Sequence, residues 1–314
     1  MYVMTSPPTH DETTTFLQQH QFFGMDPDHV KIFCQGTMPA VDASTGKVLL
    51  ADKSKLALSP DGHGGTLAAM HNSGTLQHAI DRGVQYVAYA QVDNPLVQLA
   101  DPALLGHHIQ SGSEMTTQVV RKRYPSERVG NVVEIDGRVQ IIEYSDLPDN
   151  AAQATNDDGS LKLWAGNIAV HMLDVAFIQR SISNTDALPF HRASKKVPFI
   201  DSEGMLVTPD EPNATKFERF IFDLLPSAKD AFVVEGRVQE VFAPVKNADG
   251  AENDTPSHAA AAISDLHRQW LVDAGVEVAD NVTVEIAPHV ALDAAQAKRT
   301  LAGHVAIRDN TFLQ

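Results

Sequence analysis

A single cysteine, Cys34, is all the thiol chemistry that 314 residues contain. It excludes an internal disulfide and a cysteine zinc site, and a reducing compartment is the natural setting. Positive charge is also scarce, with 24 Lys and Arg against 40 Asp and Glu and a net charge of -16. A phosphate backbone is repelled by such a molecule as a whole, which argues against general nucleic-acid binding and leaves room only for a local basic pocket holding one small anion. No run of about 18 apolar residues suggests a membrane span. The opening MYVMTSPPTH has no basic stretch followed by an apolar core and no lipidation motif, so the expected location is the cytoplasm. HExxH, GxSxG, Walker and GxGxxG signatures are all missing. Fourteen histidines invite a metal reading, but His107 and His108 are adjacent and diverge by about 100° on a helix, so no zinc site is expected.

What is present is a globular composition, 43% hydrophobic and 20% charged, in a chain long enough for one large domain or two modest ones. Tyr2 to Met4 reads as a strand, and a strand so near residue 1 raises the expectation of a missing N-terminal neighbour. Asp11 to His20 reads as a helix and Val30 to Cys34 as a strand. Lys47 to Leu50 is a short strand candidate, Thr66 to Ala79 an alanine-rich helix, and Val84 to Val92 a strand covered on both faces. Asp101 to Gln110 follows as a helix capped by Asp101, with Pro102 at its first position. This alternation predicts an α/β fold with a mixed, mostly parallel sheet flanked by helices.

Val129 to Ile135 and Val139 to Tyr144 flank Asp136-Gly137, a hairpin signal that makes an antiparallel insert. Leu161 to Val170 then reads as a strand, and Leu173 to Ile182 and Lys216 to Leu225 as helices. Phe232 to Glu235 is a strand, polar Asn247 to Ser257 a linker, and Ser257 to Ala274 a helix. The tail from Asn281 adds a strand and a short helix, Ala291 to Leu301.

Asp61 to Gly65, DGHGG, precedes a helix and supplies glycines where backbone N–H groups approach a phosphate or a base edge, although a helix-entry turn needs glycine anyway. Asp93 closes an apolar strand, where an α/β sheet presents a carboxylate to a ligand or to Mg²⁺ held through phosphates; the plain alternative is an Asp-Asn turn. Lys216 and Lys246 lie at loop ends suited to phosphate, as many solvated lysines do. Glu143-Tyr144 and Gly166-Asn167 offer a carboxylate and an amide suited to sugar hydroxyls, or to structural hydrogen bonds.

In chain order the segments MTS, IFCQGTMPA, SPDGHGG, VDNPLVQLADP, VVEIDGRVQIIEYSDL, AGNIAVH, KKVPFID, PNATKFERFIFD and FAPVKNAD resemble the UDP-N-acetylhexosamine pyrophosphorylases over roughly residues 2 to 275. The resemblance implies a glycosyltransferase-A-like, Rossmann-related nucleotidyltransferase. Its reaction joins UTP and N-acetylglucosamine 1-phosphate into UDP-N-acetylglucosamine and pyrophosphate, with Mg²⁺ as cofactor. Carried over by motif, Gln35 and Gly62 face the uridine beside His63. Asp93 holds metal and phosphates, Lys216 the UTP phosphates, and Lys246 the phosphate of the sugar nucleotide. Glu143, Tyr144, Gly166 and Asn167 line the sugar pocket.

Two departures stand out. Animal and fungal members often read PDGNGG where this chain has His63, which leaves a glucose 1-phosphate or broad specificity as the alternative. The family's Gly-rich LxGGxGTRLG signature, with its first strand and triphosphate-cradling turn, occurs nowhere in the sequence. The resulting expectation is an N-terminally incomplete catalytic domain over residues 1–245, an abbreviated C-terminal extension over 246–314, and a fragment that either turns over or only binds nucleotide sugar.

Overall fold

The computed structural model describes residues 1–184, 188–303 and 306–314. At its centre lies a six-stranded sheet in the order Arg138–Ile142, Gly130–Ile135, Ala165–Asp174, Met115–Arg121, Phe232–Glu235, with Tyr86–Tyr89 also paired to Ala165–Asp174. The ten-residue strand Ala165–Asp174 runs antiparallel to each of its neighbours, and only Phe232–Glu235 pairs in parallel, with Met115–Arg121. The sheet is therefore mixed and predominantly antiparallel, which corrects the mostly parallel expectation. Strand-helix alternation records only that connections are long. It does not report that the hairpin brings the chain back along Ala165–Asp174 in the opposite sense.

The two central strands are buried along nearly their whole length, and their side chains alternate between two cores. Met115 and Leu173 enter a cluster with Phe33, Met70, Phe177 and Leu224, covered by helices Thr66–Asn72 and Val175–Ile182. Val120, Val170 and Met172 face the other way, toward Leu104 on helix Pro102–Ser111 and Phe242. A separate core gathers Trp270, Leu271, Val284 and Ile286 around helix Pro256–Asp273.

Several elements follow their local chemistry. Asp101 Oδ1 accepts the Ala103 N–H at 2.9 Å, with Pro102 opening the helix as expected. Asp136 and Gly137 both take positive φ, +52° and +72°, as a two-residue hairpin turn requires. The alanine-rich helix is interrupted, because Ser73 and left-handed Gly74 separate Thr66–Asn72 from Thr75–Asp81. The strand expected over Val84 to Val92 is confined to Tyr86–Tyr89, and Leu161 to Val170 shifts to Ala165–Asp174.

Lys216 to Leu225 is not a helix. Ala214–Glu218 is a strand paired antiparallel with His191–Lys195, and Ile221–Ser227 forms 3₁₀ turns containing Pro226. The spacing of Phe217, Phe220, Ile221 and Leu224 mimics a helical stripe, but Thr215 and Phe217 suit a pleated strand whose backbone finds its partners across the sheet. No helix among the described residues is long and apolar enough to cross a membrane.

Candidate active site

The DGHGG loop is laced to the chain leaving strand Ala214–Glu218. Arg219 N–H donates to the Asp61 carbonyl at 2.8 Å, and Gly64 N–H donates to the Arg219 carbonyl at 2.7 Å. A methyl group on Gly62 would lie 2.5 Å from the Arg219 carbonyl oxygen, and one on Gly64 would lie 2.7 Å from the Arg219 carbonyl carbon. These glycines thus permit a backbone-on-backbone approach, and the Gly64 N–H is already occupied. Gln35 Nε2 donates to Asp61 Oδ1 at 3.2 Å, with the Gly62 carbonyl at 3.4 Å, so Gln35 and Gly62 do meet.

His63 leaves this loop toward a cavity of about 200 Å³. The cavity is lined by six of the expected residues, His63, Asp93, Glu143, Tyr144, Asn167 and Lys246, together with Arg128 and three phenylalanines, Phe220, Phe222 and Phe242. Gln35, Gly62, Gly166 and Lys216 lie outside that lining. Gly166 is packed behind it, where a methyl would meet Val129 at 2.9 Å. Lys216 sits half-buried on strand Ala214–Glu218, opposite Ala193.

Asp93 is free to face the cavity because its neighbour does the structural work. Buried Asn94 donates from Nδ2 to the Val241 carbonyl at 2.7 Å, while its Oδ1 accepts the Ala243 N–H at 3.0 Å and the Leu96 N–H at 3.3 Å. The Asp-Asn turn is thereby stapled to the segment that carries Lys246, and Val245 N–H donates to the Asp93 carbonyl at 2.8 Å. Two groups far apart in sequence are held at one cavity.

Asn167 owes its position to a bulge. The register with Met115–Arg121 shifts between Asn167 and Val170, Ala169 adopts φ +56°, and Asn167 Oδ1 accepts the Ala169 N–H at 3.0 Å. Arg128 lies in a loop pinned at both ends, where buried Lys122 donates to Asn131 Oδ1 at 2.7 Å and Arg123 pairs with buried Glu127 at 2.6 Å.

Burial lowers the pKa of the His63 imidazole to about 4, with the nearby His191 adding to the effect, so His63 is neutral near pH 7. Its Nδ1 accepts the Ile221 N–H at 3.2 Å, which puts its proton on Nε2. Burial also raises the pKa of Glu143, as does Asp146, while His191 and Lys246 oppose the rise. A cavity lined by two cations, two carboxylates, an amide and aromatic rings suits a ligand that joins phosphate, hydroxyls and an apolar group. Arg128 and the phenylalanines went unnoticed in the sequence; the aromatic repeat in KFERFIFD was the signal for Phe220 and Phe222, absorbed instead into a supposed helical stripe, and Arg128 and Phe242 carry no local signal.

The chain belongs to the family described as UTP–glucose-1-phosphate uridylyltransferase, whose family model matches residues 1–300. Within it, the chain is 41% identical over 280 residues to human UDP-N-acetylhexosamine pyrophosphorylase-like protein 1, covering 89% of this chain and 55% of that one. To the Saccharomyces cerevisiae UDP-N-acetylglucosamine pyrophosphorylase it is 38% identical, covering 91% and 61% respectively. The chain therefore spans little more than half the length of these relatives. Among solved structures, the Trypanosoma brucei UDP-N-acetylglucosamine pyrophosphorylase superposes with a TM-score of 0.82 at 26% identity, over 98% of this chain and 66% of that one. An Entamoeba histolytica structure named for the same activity gives 0.89 at 28%, over 100% and 77%.

Proposed function

We propose that the chain acts as a uridylyltransferase on a 2-acetamido sugar, converting UTP and N-acetylglucosamine 1-phosphate to UDP-N-acetylglucosamine and pyrophosphate. The observation that carries this reading is the cavity shared by Asp93, Lys246, Glu143, Asn167 and the phenylalanine wall. An oxygen of the sugar 1-phosphate attacks the α-phosphorus of UTP, and the bond to the bridging oxygen breaks as pyrophosphate leaves. Such chemistry needs alignment and charge neutralisation and no covalent nucleophile.

Lys246 and Arg128 compensate phosphate charge, and Lys216 and Gln35 serve the triphosphate and the uracil edge. Glu143 and Asn167 take sugar hydroxyls, Tyr144 covers the rim, and the phenylalanine wall accommodates the acetamido methyl group. That apolar wall favours N-acetylglucosamine over glucose. No group of three or more His, Cys, Asp or Glu side chains gathers to hold a metal among the described residues. Asp93 alone fits Mg²⁺, an ion that takes most of its ligands from substrate phosphates and water. When bound there, Mg²⁺ would neutralise charge on the phosphates.

A second reading, nucleotide-sugar binding without turnover, has its motive in the absence of a Gly-rich phosphate-cradling segment from all 314 residues. The test is pyrophosphate release with Mg²⁺, UTP and either N-acetylglucosamine 1-phosphate or glucose 1-phosphate, beside an Asp93→Ala control. Release that needs Asp93 and prefers the acetamido sugar supports the first reading. Tight binding of UDP-N-acetylglucosamine with no release supports the second.

A further inference from the structure

Phe220, on the cavity lining, packs against two imidazoles: the His63 ring centroid lies 5.1 Å away at 21°, and the His191 centroid lies 4.3 Å away at 32°. Phe222 packs at 5.1 Å. Both imidazoles are tied to residues immediately after Phe220: Ile221 N–H donates to His63 Nδ1 at 3.2 Å, and His191 Nε2 lies 2.7 Å from Asp223 Oδ2. Asp223 N–H in turn donates to the Phe220 carbonyl at 3.2 Å. Residues 220–223 thus hold the two rings that hold Phe220. His191 opens strand His191–Lys195, whose pairing with Ala214–Glu218 anchors it at Glu218.

Neither His191 nor Asp223 lines the cavity, and neither has a role in the mechanism above. Yet both stand close enough to influence the charge of Glu143, together with Asp146 and Lys246, so the pair is beside the sugar end and not in a remote core.

We propose that His191 and Asp223 are positioning residues that clamp Phe220 and thereby set the discrimination for an N-acetylated sugar over its hydroxyl counterpart. The proposal rests on the reading of the cavity as a sugar-nucleotide site. An aromatic wall recognises a methyl group only when it is fixed; a ring free to rotate loses contact area with the acetamido group and not with the uridine or the phosphates. The affected quantity is therefore the difference between two sugars.

Calorimetric binding of UDP-N-acetylglucosamine, UDP-glucose and UDP to the wild-type chain and to His191→Ala, His191→Phe and Asp223→Asn tests this directly. His191→Ala is expected to weaken UDP-N-acetylglucosamine about 10-fold, the scale of one apolar contact in a pocket, with UDP-glucose and UDP within about 2-fold. His191→Phe restores the stacking partner and recovers most of the loss, and Asp223→Asn falls between. Equal weakening of all three ligands, or no change in any, overturns the clamp. If the wild-type chain binds none of them, the functional reading fails by itself. The Phe220 ring-proton shifts still decide the clamp, which requires them to move in His191→Ala and is refuted if they do not.

Discussion

Gly62 combines a glycine-only backbone conformation with the close approach of a second backbone segment. Its backbone sits at φ +83°, ψ 168°, a region that essentially only glycine occupies, and strain there costs another residue about 1–3 kcal/mol. An added methyl would also meet the Arg219 carbonyl oxygen at 2.5 Å and the Arg219 nitrogen at 2.7 Å. Both are backbone atoms of the segment that leads into the cavity wall, so neither can swing aside, and relieving such overpacking costs about 1–3 kcal/mol more. Gly62→Ala should therefore destabilise the chain by about 2–6 kcal/mol, a large share of a typical domain's stability. Gly137, at φ +72° in the hairpin turn with nothing within 4 Å of an added methyl, is the control. Gly137→Ala carries only the left-handed penalty, about 1–2 kcal/mol. Urea unfolding of both variants, compared at equal slope, separates the two contributions. A Gly62→Ala loss no larger than that of Gly137→Ala would refute the claim that this glycine serves close backbone packing.

Acid sensitivity follows from two buried imidazoles. The folded pKa values of His63 and His171, about 4 and about 3, lie below 6.5, so their stabilisation is complete above pH 6.5 and is lost as pH falls. Each should contribute about 3 kcal/mol of loss between pH 7.5 and 4.5, opposed in part by Glu143 and Asp223 with their raised pKa values. Urea midpoints across that range should flatten in His63→Gln and in His171→Gln, and an unchanged slope counts against the assignment. Asn94→Ala removes a buried side chain that makes three hydrogen bonds and should cost about 2–4 kcal/mol by the same assay. Lys246→Ala should weaken UDP-N-acetylglucosamine at least about 10-fold by calorimetry, as loss of a phosphate's charged partner does. Ala169→Gly relieves a left-handed alanine and should raise stability by about 1 kcal/mol, with any loss of ligand affinity reporting the bulge's effect on Asn167.

Local chemistry made much of the fold legible. Asp101-Pro102 announced a helix start and Asp136-Gly137 a hairpin, because each signal is carried by the residues that adopt the conformation. Strand direction was not legible: nothing within AGNIAVHMLD says that it runs against its neighbours. The helical misreading of KFERFIFD has the same origin, since a spacing of apolar residues constrains which face is buried only after a partner has been chosen. His191–Lys195 is that partner, and no local signal in HRASK names it.

The site itself was partly legible for a different reason. Polar residues suited to phosphate and sugar were visible one by one, yet what joins them is structural and chemically plain. Asn94 ties the Asp93 turn to the segment before Lys246, a left-handed alanine bends the longest strand at Asn167, and glycines let the His63 loop lie on the Arg219 backbone. The glycines of DGHGG illustrate the ambiguity well. Glycine before a helix is read as an invitation to phosphate, but here the donor nearest that role, Gly64 N–H, is spent on Arg219. The loop contributes to the site through His63 and through what it holds in place. A binding residue and the residue that positions it draw on the same few side-chain types. Position in the folded chain, not residue type, therefore divides Asp93 from Asn94 and Phe220 from His191.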